Sequence, residues 1–129
     1  MLKIALCITI ILTGFKASAG DRAFHCTINN IYKLNLNGEM EKESGVSVPK
    51  ANDTFIVDRQ SGVVIGERVP VFRADKFTLL AAGTDGNAFV TSYSARTQIG
   101  FLKIENYRNV ARSPFVLNDG IWVATGVCI

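Results

Sequence analysis

Histidine and cysteine are the side chains that most often move protons or attack carbonyl carbon, and this chain has one histidine, His25, directly before Cys26. Neighbours on an extended strand point to opposite faces, so the imidazole is not placed to activate the adjacent thiol. Ser47-Val48-Pro49-Lys50 has the S-x-x-K spacing in which a lysine assists a serine nucleophile. That chemistry needs the pair at a helix start together with Ser-Asp-Asn and Lys-Thr-Gly elements. The sequence has neither, and Pro49 places the tetrapeptide in a loop. Asp85-Gly86-Asn87 and Asn118-Asp119-Gly120 carry oxygens of the kind calcium takes, but turn chemistry accounts for both, and no metal or cofactor is expected. Asn52-Asp53-Thr54 has the acceptor spacing for N-glycosylation, which matters in a eukaryotic secretory pathway.

What remains is charge. Arg96, Lys103, Arg108 and Arg112 lie in a window whose only acidic residue is Glu105, and Tyr93, Phe101 and Tyr107 accompany them. These seven residues are the candidate contact set for an anionic partner, such as a polyanionic envelope polymer or the acidic cleft of a hydrolase. A solvated strand-and-loop face is the plainer use of the same residues. Glu39, Glu41 and Glu43 recur at period two, which suits a solvated edge that resists strand addition, or else an acidic docking strip.

Residues 1–19 have the layout of a secretory signal peptide. Lys3 supplies the positive start, an apolar run extends from Ile4 to Phe15, and Ala17-Ser18-Ala19 is an A-x-A cleavage site. The run is too short for the roughly 20 apolar residues that span a bilayer, so the mature chain is not expected to insert stably in a membrane. Without Lys3 and Lys16 the 14 basic residues fall to 12 against 11 acidic ones, which removes the charge excess that nucleic-acid binding would need. Of three cysteines, Cys7 leaves with the leader. Cys26 and Cys128 are then an even pair in an oxidising compartment and are expected to form a disulfide. Chain-entropy models value so long a closed loop at about 4 to 5 kcal/mol.

These residues are positioned by short alternating or β-branched segments separated by glycine-containing turns, with no long amphipathic crossover. Residues 20–129 therefore read as one all-β domain of about eight short antiparallel strands, either a small barrel or a two-sheet sandwich. The first strand puts Phe24, Cys26 and Ile28 on the inner face and changes phase near Asn29-Asn30, where a bulge fits. Asn37-Gly38 reads as a two-residue type I′ turn. Hairpins follow at 54–66 and 77–94, and further strands at 99–106 and 115–117. Asn118-Asp119-Gly120 forms the turn into a last strand, 121–128, whose inner face carries Trp122, Ala124, Gly126 and Cys128.

The segments Phe24-His25-Cys26-Thr27, Phe55 to Gly66 and Thr125-Gly126-Val127-Cys128 resemble a group of small uncharacterised secreted or periplasmic proteins of proteobacteria. The resemblance covers most of residues 23–128. It implies export and paired cysteines, and carries no activity. Small β-barrel lysozyme inhibitors of bacterial envelopes are similar in size, export and possession of a disulfide. The sequence thus points to a periplasmic or secreted, non-enzymatic β-domain that binds another envelope or extracellular molecule. A small-ligand-binding barrel is the alternative, and a hydrolase inhibitor the third reading.

Overall fold

The computed structural model describes residues 22–43, 49–84, 86–106 and 111–129. The leader segment, Ser47, Tyr107 and Arg108 lie outside them. Nine antiparallel strands make one sheet: β1 (Ala23–Leu34), β2 (Met40–Lys42), β3 (Thr54–Asp58), β4 (Val64–Gly66), β5 (Lys76–Ala82), β6 (Phe89–Ala95), β7 (Gln98–Ile104), β8 (Ser113–Asp119) and β9 (Trp122–Cys128). The order β4-β3-β1-β9-β8-β7-β6-β5 curls into a nearly closed barrel, with β2 paired only to β1. A single continuous sheet decides for the barrel over the sandwich.

Alternation along each strand fills the interior. Phe24, Cys26, Ile28, Phe55, Val57, Phe89, Tyr93, Leu102, Ile104, Phe115, Leu117, Ala124 and Cys128 are all buried. Ring pairs Phe24–Phe89 and Phe55–Phe115 meet edge to face at centroid distances of 5.1 and 5.2 Å, the arrangement that aligns ring edges with ring faces. No ladder joins β4 to β5. The Thr91 hydroxyl on β6 closes that seam by donating to the Gly62 carbonyl oxygen at 2.7 Å. Gly62 has φ +77°, and a Cβ there would press on the Thr91 side chain.

The expected bulge in β1 is present, with the register against β9 shifting between Ile28 and Asn30. On the opposite edge of β1, Ile28 continues the pairing with β3 into the approach to that strand: Ile28 N donates to Asp53 O and Asn52 N to Ile28 O. Gly126 lies against the bulge, where a Cβ would collide with the Thr27 carbonyl oxygen. The Cys26 and Cys128 sulfurs are 2.05 Å apart, the expected disulfide pairing. The adjoining residues His25 and Ile129 exchange both backbone hydrogen bonds. The cysteines therefore occupy the non-hydrogen-bonded site, where facing side chains come closest.

Two turns differ from the sequence reading. Asn37-Gly38 is not a two-residue type I′ turn. Gly38 alone has positive φ, Gly38 N donates to Asn35 O, and Asn35 N pairs with Glu39 O, so the loop has three residues with a bulge at Gly38. Asn35 drives this choice, because its Oδ1 accepts from both Asn37 N and Glu39 N. Asn118 and Asp119 belong to β8, and the turn is Gly120-Ile121, with Asp119 facing Trp122. Glycine there has φ +71°, the freedom the first central position of such a turn needs.

Candidate functional site

The hairpin tips 35–39, 96–97 and 120–121, and the segment from β4 to β5, gather at one end of the barrel, the mouth. The β3–β4 turn and the open ends of β1 and β9 mark the other. At the mouth, side chains that a water-facing turn does not call for stand exposed: Leu36, Val71, Ile99 and Ile121, the last 63% exposed. Val71, Phe72, Ile99, Ile121 and Trp122 line an open recess of about 610 Å³. It adjoins a second recess of about 390 Å³, bounded by Arg73, Asp75 and Arg96. The Lys33 ammonium sits 5.3 Å from the Trp122 ring centroid, close enough for its charge to meet the ring face.

The recess floor is a buried carboxylate. Asp119 is 1% exposed. Its Oδ1 accepts from the Tyr93 hydroxyl at 2.8 Å and its Oδ2 from Val71 N at 2.7 Å. Burial pushes its pKa above the usual aspartate range against the lowering effect of both hydrogen bonds. The Tyr93 hydroxyl is held far above its ordinary value by burial and by the facing carboxylate. The pair thus serves as a latch: Asp119 ties the 67–75 segment across the mouth and Tyr93 anchors Asp119 to the core. Tyr93 lies over Gly100 on β7, where a Cβ would collide with the edge of its ring.

Arg96 lies in the two-residue turn between β6 and β7, with φ +52°. Left-handed backbone costs a non-glycine residue roughly 1 to 2 kcal/mol. Among the described residues neither Arg73 nor Arg96 forms an ion pair.

The five described residues of the basic window do not make one face. Tyr93 corrects that reading most clearly: it is 1% exposed and points inward, so it supports the mouth from beneath and offers no surface. Arg96 is at the mouth. Phe101 and Lys103 point outward on the β7 wall, where Lys103 Nζ is 2.6 Å from Glu105 Oε1. Arg112 is exposed beside the start of β8, near the opposite end. Tyr107 and Arg108 fall outside the described residues. His25 faces outward, away from Cys26. No group of three or more His, Cys, Asp or Glu suited to a metal ion occurs among the described residues.

Sequence reasoning missed Lys33, Val71, Phe72, Asp119 and Ile121. One signal was available: Leu36 and Ile121 are large apolar residues in tight turns, where polar ones serve the fold better. Comparison with protein-family models, with curated proteins and with solved structures gives no match.

Proposed function

We propose that this chain is an exported, non-enzymatic β-domain that recognises another envelope or extracellular molecule at the barrel mouth. One observation carries the reading: Arg96 is kept in a left-handed turn on the polar recess that adjoins the apolar one, while the neighbouring hairpin uses Gly120 at the corresponding position. The fold gains no ion pair from it among the described residues, and backbone strain kept at an exposed tip points to function. The partner chemistry that fits is an anionic group for Arg96 and Arg73 beside an apolar group for the recess. An envelope protein offers both; a polyanionic polymer offers only the first. Inhibition of a hydrolase with an acidic cleft is one form such recognition would take.

Export is supported by the leader-like residues 1–19 and by a cysteine pair at disulfide distance, which is compatible with an oxidising compartment. A small-ligand barrel is favoured less, because Phe55, Phe89, Tyr93 and Phe115 fill the interior and the recess opens to solvent. The test is capture of partners from envelope extract by the exported chain, comparing wild type with Arg96→Glu and Arg112→Glu. Capture is expected to fall with Arg96→Glu and to persist with Arg112→Glu. Equal capture by all three would remove the mouth from consideration.

A further inference from the structure

We propose that the mouth also receives the β1–β2 hairpin of a second copy of this chain, so that two barrels associate mouth to mouth. The proposal rests on the reading of the mouth as the recognition surface, and names a partner for it.

The hairpin is a projection. Lys33 on β1 faces Trp122 at the start of β9, and Leu36 lies three residues further along, which places the tip up to about 10 Å beyond the level of Trp122. Leu36 is fully exposed there, and Leu34 and Met40 at its base are more than half exposed. The tip is braced: besides the two backbone bonds to Asn35 Oδ1, Asn35 Nδ2 donates to Glu41 Oε1 at 2.7 Å. Leu36 is therefore held out as a preformed apolar knob, with little freedom left to lose on docking. The recess framed by Val71, Phe72, Ile121 and Trp122 is an apolar hole on the same end of the molecule.

Charge fixes the orientation. Near the knob Glu39 and Glu41 outnumber Lys33, which faces Glu41 across the hairpin, whereas at the far side of the recess Arg73 and Arg96 outnumber Asp75, so the two rims keep opposite net charge. Around the mouth the β1–β2 hairpin is followed by the β8–β9 turn, the β6–β7 turn and the approach to β5, so the acidic and basic rims stand on different sides. A two-fold axis lying across the mouth carries the acidic rim of one copy onto the basic rim of the other. It forms both knob-and-hole contacts at once, and such an isologous contact closes at a dimer. Self-association and capture of an envelope partner then compete for one surface.

Sedimentation velocity on the exported chain tests this. Wild type is expected to be dimeric at about 100 μM, with Leu36→Asp weakening the dimer by about tenfold or more. Arg73→Glu/Arg96→Glu and Glu39→Lys/Glu41→Lys are each expected to be monomeric alone and to form a mixed dimer when combined, since each then presents two rims of one sign to a partner of the other. All these side chains are exposed, and circular dichroism verifies that the variants fold. A monomeric wild type, a dimer indifferent to Leu36→Asp, or charge variants that stay apart when mixed would overturn the proposal. A monomer whose envelope capture still depends on Arg96 would sink the dimer alone. A dimer whose envelope capture ignores Arg96 would sink the foreign-partner reading alone.

Discussion

The two ends of the barrel solve the same problem, ending a sheet in water, with opposite chemistry. At the disulfide end Asp58 caps the β3–β4 turn: its Oδ1 accepts from Gln60 N, Ser61 N and Ser61 Oγ, all within three residues. Those bonds hold its carboxyl below the ordinary aspartate pKa. Arg59 stacks on the buried Phe24 ring at 4.3 Å, and Cys26 joins Cys128 close by. At the mouth Asp119 also accepts from a backbone N–H, yet its partners are 26 and 48 residues away and burial drives its pKa up. The Asp58 turn is built from local bonds made in contact with water. The mouth holds a desolvated carboxylate and exposed apolar tips, which a structure built only for stability would exchange.

The largest expected effect belongs to the disulfide end. Cys26→Ala/Cys128→Ala should lose about 4 to 5 kcal/mol in urea unfolding, because the chain between two residues 102 positions apart is no longer closed into a loop. A loss below 1 kcal/mol would mean that the sheet alone specifies the fold.

At the mouth, Asp119→Ala leaves the Tyr93 hydroxyl and Val71 N without their acceptor and should cost about 2 to 4 kcal/mol. The matching change Asp58→Ala, where water replaces the lost acceptor, should cost about 1 kcal/mol. The pH dependences should also oppose each other. With Asp119's folded pKa raised, the native state binds the extra proton, so its contribution to stability grows as pH falls from the folded pKa toward the unfolded value of about 3.9. With Asp58 lowered, the unfolded state binds the extra proton, and stability is lost as pH falls below about 3.9 through the folded pKa. Asp119→Asn should abolish the first trend and leave the second, measured as urea midpoints across the acid range. Parallel trends would show that both carboxyls are equally solvated.

The smallest effect has the opposite sign. Arg96→Gly removes a left-handed cost of roughly 1 to 2 kcal/mol and adds roughly 0.4 to 1 kcal/mol of unfolded-chain entropy, so a gain of about 0.5 kcal/mol is expected together with weaker partner capture. A destabilised variant would make Arg96 a residue of the fold.

Legibility in the sequence followed the range of the interactions. The β1 bulge, the 54–66 hairpin and the inward face of Trp122, Ala124, Gly126 and Cys128 were all readable, because alternation and turn residues are local. The pairing of Cys26 with Cys128 was readable because, with Cys7 assigned to the leader-like segment, two cysteines were left to pair. Asp119 was not: next to Asn118 and Gly120 it looks like a turn residue, and only closure of the barrel brings Tyr93 and Val71 to it. The basic window failed as one surface for the same reason. Alternation sends Tyr93 inward and Phe101 outward, and the antiparallel course carries Arg96 and Arg112 to opposite ends.

Recognition at the mouth is tested most directly by placing a photo-crosslinking residue at Ile121 and, in a separate variant, at Gln60 in the opposite turn, then irradiating the purified chain in envelope extract. Adducts are predicted from position 121 and not from position 60, and they should disappear in the Arg96→Glu background. Equal yields from both positions, or adducts only from position 60, would contradict the account.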